Sequence, residues 1–172
     1  WGAVAYLKQS KYGLGTTDIQ INDNSEFYTG GGDSISYKSN TNQSTTGNIY
    51  GVYDMSGGAW EYVMGNMVDS SGSFYASSSG FNDTINIKYY DKYVYDTIGT
   101  SHGRGKLGDA TKETLSSFGD LTGSWYNDYA LFANSVYSWF DRGGDCGNST
   151  GSGVFSFHNY NGANHSNFST RA

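Results

Sequence analysis

Residues 47–65 constrain the fold more than any other stretch, because they join paired glycines to a dense aromatic segment. The run from Ile49 to Tyr53 is typical of a short strand. Gly57 and Gly58 then break it, since glycine takes tight turns and positive φ angles that other residues resist. Trp60 and the aromatic and apolar residues after it are poorly suited to solvent, so we expect this segment to cross the core.

Glu61 is the one carboxylate inside that aromatic segment. Because a bare buried charge is costly, we expect its side chain to be paired, hydrogen-bonded or bound to a metal ion. Two interpretations stay open from the residues alone: a structural glutamate bonded to backbone amides, and a metal ligand.

The composition predicts a compact core beneath long polar loops. Of the 172 residues, 17% are aromatic and 15% charged, with 25 glycines and no proline. Disordered chains usually lack aromatic residues and carry heavy charge, so we expect a folded chain. The length fits one domain over residues 1–172, and the abrupt start at Trp1, a large apolar residue inside a predicted helix, leads us to expect the first elements of the domain upstream.

Charge and cysteine content exclude several functional classes. The net charge of −6 and a pI near 4.8, with scattered Lys and Arg, argue against nucleic-acid binding, which needs clustered basic residues. No apolar run approaches the roughly 20 residues that span a membrane, so we expect no membrane insertion within this stretch. The single cysteine, Cys146, excludes an intrachain disulfide and a multi-cysteine zinc site.

Few regular elements can be predicted along the chain. A helix is indicated from Trp1 to Ser10, with Trp1 and Val4 turned inward. Residues 85–95 could form strand or loop, whereas alternation over residues 154–157 predicts a strand. His102, His158 and His165 lack metal-cluster spacing, and we interpret them as surface histidines.

Three stretches together resemble one family. Residues 50–62, Tyr-Gly-Val-Tyr-Asp-Met-Ser-Gly-Gly-Ala-Trp-Glu-Tyr, are similar to the Gly-Leu-Tyr-Asp-Met-x-Gly-Asn-x-Trp-Glu-Trp signature of the formylglycine-generating enzyme (sulfatase-modifying factor) family. Residues 1–8 resemble a helix of that family. Arg142-Gly-Gly and the final Phe168-Ser-Thr-Arg resemble its Arg-Gly-Gly … Gly-Phe-Arg ending. The resemblance implies an α+β, C-type-lectin-like fold with short strands and long irregular loops. Members of the family continue into a last apolar strand after the position of Arg171, so the resemblance also implies a domain trimmed at both ends.

The non-enzymatic branch of this superfamily is the most similar, and it includes retroelement-diversified variable proteins and bacterial surface proteins. There the segment between the last two motifs forms the binding surface. The resemblance therefore implies a ligand-binding site among the polar residues Asp145, Cys146, Asn148, Ser149, Ser152, His158, Tyr160, Asn161, Asn164, His165 and Asn167. Such polar, adaptable positions with few full charges are typical of recognition surfaces on a rigid scaffold.

The resemblance also bears on metals and catalysis. It implies a possible structural calcium ion held by the carbonyls of Ser56, Gly57 and Ala59 and the Glu61 carboxylate, since hard oxygen ligands suit Ca²⁺. No other cofactor is expected. Formylglycine generation needs two cysteines after Arg-Gly-Gly, but Asn148 and Gly153 occupy those positions, so we expect no catalysis.

These observations favour a binding or adhesion module over its alternatives. We expect an extracellular, cell-surface, appendage- or phage-associated protein whose partner is a protein or glycan on a target surface. The alternatives are a divergent enzyme of the formylglycine-generating type and a purely structural surface domain with ordinary solvated loops.

Overall fold

The computed structural model contains one mixed sheet of five strands among the residues that it describes. The described residues are 1–4, 38, 39, 41, 44, 46, 48–53, 55–75, 81, 84–94, 105–112, 128–145, 147, 148 and 151–170. The strands are β1 (Trp60–Val68), β2 (Asp91–Val94), β3 (Trp139–Gly143), β4 (Gly153–Tyr160) and β5 (Phe168–Thr170). Their order is β2-β1-β3-β4, with β5 also paired to β1. The sheet curls into a half-barrel.

Strand β1 lies at the centre of this sheet. Strand β3 runs antiparallel along one edge, while β5 and β2 run parallel along the first and second halves of the other edge. Between Tyr62 and Asn66 the register with β3 shifts, so β1 carries a bulge. Trp60 is buried at the start of β1, which confirms that the aromatic segment crosses the core.

Period-two alternation divides the side chains of the sheet between two faces. Phe140 and Phe157 point to one face, where they pack with Met67, Tyr93 and Phe132 in the main core cluster. A second cluster gathers Met55, Ala110, Val154 and Phe155, with Trp1 and Val4 packed against it. The inward position predicted for Trp1 and Val4 is therefore confirmed.

The predicted strand over residues 49–53 is wrong. Asn48 starts a turn there: its side-chain oxygen accepts a hydrogen bond from the Tyr50 N–H at 2.9 Å, and its carbonyl accepts one from Gly51 at 3.4 Å. Asn commonly captures nearby backbone N–H groups in this way, which competes with strand pairing. Tyr50 is consequently 88% exposed.

The predicted glycine break and the predicted later strands agree better with the structure. Gly57 and Gly58 both have φ of 78°, as expected for a turn that glycine permits. The strand predicted over residues 154–157 lies inside β4. Within the stretch 85–95, where strand or loop is expected, Ile87–Tyr89 form a 3₁₀ turn and Asp91–Val94 form β2, and Tyr95 lies outside the described residues.

Helix is scarce in the described part of the chain. Residues 2–4 are helical, which agrees with the start of the predicted N-terminal helix, and residues 5–10 of that helix lie outside the described residues. Within the described residues, no helix is both long and apolar enough to cross a membrane.

Candidate binding site

The C-terminal part of the chain crosses the sheet diagonally. Strands β4 and β5 are parallel, because each runs parallel to β1. They are separated by β1 and β3, so residues 161–167, here called the crossover loop, must pass over one face of the sheet. That face is opposite the main core cluster.

Two contacts hold the crossover loop against the sheet. The Tyr62 hydroxyl of β1 donates a hydrogen bond to the Ala163 carbonyl at 2.9 Å. Gly162 lies so close to Trp139 of β3 that an added Cβ would be 2.6 Å from the indole Nε1. Its φ of 82° also favours glycine, so this position combines a close approach with a left-handed backbone.

Aromatic rings line the sheet beneath and beside the loop. Tyr62, Trp139, Tyr160 and Phe168, here called the aromatic face, come from four different strands. The centroid of the Tyr62 ring lies 5.1 Å from the centroid of Phe168 and 5.5 Å from that of Trp139. The centroids of Tyr160 and Phe168 lie 4.8 Å apart. All four side chains are half-buried, so they both anchor the loop and contribute to the surface.

Asp145 joins the two predicted binding segments. Its Oδ1 accepts a hydrogen bond from the Gly147 N–H at 2.9 Å, and its Oδ2 accepts one from the Asn167 amide. Its own N–H donates to the Asn148 side chain at 2.8 Å. The Asn167 oxygen lies 2.6 Å from Nδ1 of His165. A chain of polar contacts therefore runs from Asn148 to His165.

Most of the predicted binding residues in the described part of the chain meet around the crossover loop. His165 also contacts the aromatic face, with ring centroids 6.2 Å from Tyr160 and 5.8 Å from Phe168. The residues brought together are Asp145, Asn148, Tyr160, Asn161, Asn164, His165 and Asn167. Of these, Asn148, Asn161, Asn164 and His165 are exposed, whereas Asp145, Tyr160 and Asn167 are half-buried.

Two of the predicted binding residues do not belong to the exposed surface. Ser152 is fully buried, and its hydroxyl donates to the Asp145 carbonyl at 2.9 Å, so it supports the turn rather than a ligand. His158 is 26% exposed, with its ring 5.2 Å from Trp60 and 5.4 Å from Tyr129. Cys146 and Ser149 lie outside the described residues.

Asp141 is a buried carboxylate beneath the aromatic face. It is 0% exposed, and its Oδ1 lies 3.5 Å from Nδ1 of His158. Within the described part of the chain, neither carboxylate oxygen has a hydrogen-bond partner. Burial raises the pKa of Asp141, and the neighbouring His158 and Arg142 offset only part of that rise. Burial, together with the Asp141 charge, also raises the pKa of Tyr62 to about 12, so its phenol stays a hydrogen-bond donor.

A shallow depression of about 310 Å³ opens beside the crossover loop. Tyr62 and Phe168 line it from the sheet, and Asn164 and His165 line it from the loop. Ligand sites occupy about 300–1,000 Å³, so this depression is at the small end of that range. It has room for one small chemical group or residue of a larger ligand.

The geometry gives no added support to the proposed calcium ligands. The Gly57 N–H donates to the Gly143 carbonyl at 2.9 Å, which ties this turn to the end of β3. Glu61 is buried and lies directly opposite Arg142 in the strand register, in agreement with the expectation of a partnered carboxylate. Among the described residues, no group of three or more His, Cys, Asp or Glu side chains is arranged to hold a metal ion. The calcium site stays a prediction based on resemblance.

Sequence reasoning missed the residues that come from outside the C-terminal segment. Tyr62, Trp139 and Phe168 shape the same surface, and Tyr137 extends it by stacking on Tyr160 with centroids 6.1 Å apart. A signal exists in the alternation Trp60-x-Tyr62, Trp139-x-Asp141 and His158-x-Tyr160, which places aromatic and polar residues on one face of three strands. Their mutual register could not be read from that alternation.

Comparison of the chain with protein-family profiles, curated proteins and solved structures gives no match. Function is therefore inferred from the residues and their geometry.

Proposed function

We propose that this chain is a non-catalytic ligand-binding or adhesion module, with the crossover loop and the adjoining residues Asp145 and Asn148 as its contact surface. The observation that carries the proposal is the convergence of seven predicted positions on one surface. Four of these side chains are exposed, and they are mostly uncharged amides and rings supported by a packed sheet. Adaptable polar groups on a rigid support are typical of recognition surfaces.

We also propose that the fold is C-type-lectin-like, as the sequence resemblance implies. Supporting this, the motifs that carry the resemblance lie together in space. Glu61 pairs with Arg142, and Trp60 pairs with Phe168, in the strand register. The Trp1 ring centroid lies 5.3 Å from the Arg142 guanidinium.

The proposal assigns no catalysis to the surface. At one position where the resembled enzymes carry cysteine, Asn148 accepts the Asp145 N–H and is part of a turn. At the other, a Cβ on Gly153 would lie 2.0 Å from the Asp128 carboxylate, so a cysteine could not be accommodated without rearrangement. A copper titration with a thiol assay on Cys146 tests the enzymatic alternative, and tight stoichiometric copper binding would contradict the proposal.

The extracellular or cell-surface location and a protein or glycan target on that surface belong to the same proposal. A direct test measures retention of the chain on intact bacterial cells and on an immobilised glycan panel. The triple variant Tyr160→Ala, Asn164→Ala and His165→Ala is expected to lose at least about tenfold in retention, because several contact side chains are removed at once.

A matched control substitutes Leu107, which is 84% exposed in the turn beside Asp109 on the other side of the sheet. Leu107→Ala is expected to retain full binding. Thermal unfolding of both variants checks that the sheet remains folded. Equal retention by the triple variant and the parent chain would instead favour a purely structural surface domain.

A further inference from the structure

The depression beside the crossover loop has an uncharged polar lining. Two aromatic rings form its floor, and an amide, an imidazole and two hydroxyls surround them. These groups belong to Tyr62, Phe168, Asn164, His165, Ser169 and Thr170. Apart from the titratable imidazole and phenol, none of the lining side chains in the described part of the chain can carry a charge. Asp145, whose carboxylate reaches the loop, is occupied by Gly147 and Asn167.

The floor of the depression is aromatic. The rings of Tyr62 and Phe168 have centroids 5.1 Å apart and are inclined by 32°, so the two rings pack partly face to face and leave one ring face at a time for a ligand. Burial raises the pKa of Tyr62 to about 12, and its phenol is neutral at physiological pH. Because that hydroxyl already donates to Ala163, the ring is fixed in place before any ligand arrives.

The rim supplies hydrogen-bonding groups at the edges of that floor. Thr170 is exposed on β5, and Asn164 and His165 are exposed on the crossover loop. The hydroxyl of Ser169 donates to the Trp60 carbonyl at 3.4 Å, so Ser169 contributes less to this rim. Hydroxyl and amide side chains can both donate and accept hydrogen bonds. The site therefore offers an aromatic base with polar groups around it that both donate and accept, and its lining in the described part of the chain contains no Asp, Glu, Lys or Arg.

We propose that this depression is a calcium-independent subsite for one uncharged hexopyranose unit of a glycan. A pyranose ring has an apolar C–H face and a rim of hydroxyl groups, which matches an aromatic floor with an amide and hydroxyl rim. The inference rests on the proposed binding function and names the ligand class for part of the same surface. It assigns the ring-stacking role to Tyr62 and Phe168, which lie outside the segments where binding residues are predicted.

Neutral monosaccharides provide the probe. Methyl α- and β-glycosides of glucose, galactose and mannose are offered to the full chain in buffer containing EDTA, and saturation-transfer NMR detects contact with the sugar protons. At least one neutral glycoside is expected to give a signal, with weak affinity on the order of millimolar for so small a ligand. Glucuronic acid, offered in parallel, is expected to give none.

Two variants test the aromatic floor and the polar rim of the depression independently. Phe168→Leu keeps apolar contact with the neighbouring rings but removes the flat face, and Asn164→Ala removes an exposed amide without touching the core. Each is expected to weaken binding of the responsive glycoside by about tenfold. Ser70→Ala, an exposed polar substitution in the turn after β1, is the matched control and is expected to leave binding unchanged.

The results distinguish this inference from the proposed function. Absence of signal from every neutral glycoside, or a signal that Asn164→Ala and Phe168→Leu leave unchanged, would overturn the subsite. If Asn164→Ala then still reduced retention on cells, the contact surface would stand with a protein ligand instead. If retention were also unaffected, the proposed function would be overturned as well. A signal that is absent in EDTA and appears only when calcium replaces the EDTA would overturn the claim of calcium independence and with it the proposal.

Discussion

Asp141 is a residue of this sheet whose burial as a carboxylate costs stability. Its carboxylate is fully buried under the aromatic face, and His158 lies 3.5 Å away. The alternation around Trp139 predicts that Asp141 shares a face with that ring, but it does not predict burial, because its neighbours Tyr62 and His158 come from other strands. Glu61 is the contrasting case, since its aromatic neighbours alone predict a buried and partnered carboxylate.

Replacing Asp141 with Asn is expected to stabilise the protein at neutral pH. Because burial raises the pKa of Asp141, the folded state binds its proton more tightly than the unfolded state does. Stability is then highest below the unfolded pKa, near 3.9, and falls as pH rises through the folded pKa. Asp141→Asn removes that fall. We expect a gain of about 1 kcal/mol or more at pH 7, shrinking as the pH approaches 4. Urea unfolding between pH 4 and 8 measures both effects.

Asp69 offers a control of opposite sign. Its exposed carboxylate accepts hydrogen bonds from Ser71 and Ser73, and these lower its pKa. The contribution of Asp69 to stability is therefore present above the unfolded pKa and is lost as pH falls through the folded pKa. Asp69→Asn should remove this loss of stability at acid pH. If Asp141→Asn were less stable than the parent at pH 7 and showed an unchanged pH profile, the account of a buried and only partly compensated charge would be wrong.

At the scale of elements, local pattern predicts individual strands better than their connections. Alternation identifies β4, and the paired glycines identify the break before β1, because both signals lie within a few residues. The run over residues 49–53 was a wrong prediction for an equally local reason, since the Asn48 side chain captures backbone donors. The crossover loop could not be predicted, because its path depends on the pairing of β5 with β1 across more than 100 residues of sequence.

The hydroxyl of Tyr62 is expected to hold the crossover loop in one ordered conformation. It donates to the Ala163 carbonyl of that loop at 2.9 Å. Tyr62→Phe keeps the ring in the aromatic face but removes this bond. We expect a stability loss of less than about 1 kcal/mol, with faster hydrogen exchange at the amides of residues 161–167 and weaker ligand retention.

Tyr53→Phe is the matched substitution for this experiment. The Tyr53 hydroxyl also donates to a backbone carbonyl, that of Asn48, but the acceptor is only five residues away in the turn at residues 48–51. The control should leave exchange in the crossover loop unchanged. Equal exchange rates in Tyr62→Phe and the parent chain would show that Gly162, Asn161 and the Asp145–Asn167 bond hold the loop without the phenol.

At the scale of the whole molecule, β1 joins parts of the chain that are remote in sequence. Its first half is flanked by β3 and by the final strand β5, and its second half by β3 and β2. This arrangement explains why the stretch around Trp60 is so informative in the sequence, since it must satisfy neighbours on both edges. It also explains why the contact surface was only partly predictable: polar residues of one segment can be identified locally, but the rings beneath them arrive from other strands.

Removing β5 should therefore affect both stability and binding. In a chain that ends at Asn167, the first half of β1 loses its parallel partner, and Tyr62 and Tyr160 lose the ring of Phe168 between them. We expect a loss of about 2 kcal/mol or more in unfolding free energy and no measurable ligand retention, because the floor of the depression is removed. The variant Phe168→Leu keeps the strand and should recover most of the stability but not the binding. An unchanged unfolding midpoint in the shortened chain would mean that β5 only rests against β1 and does not stabilise the sheet.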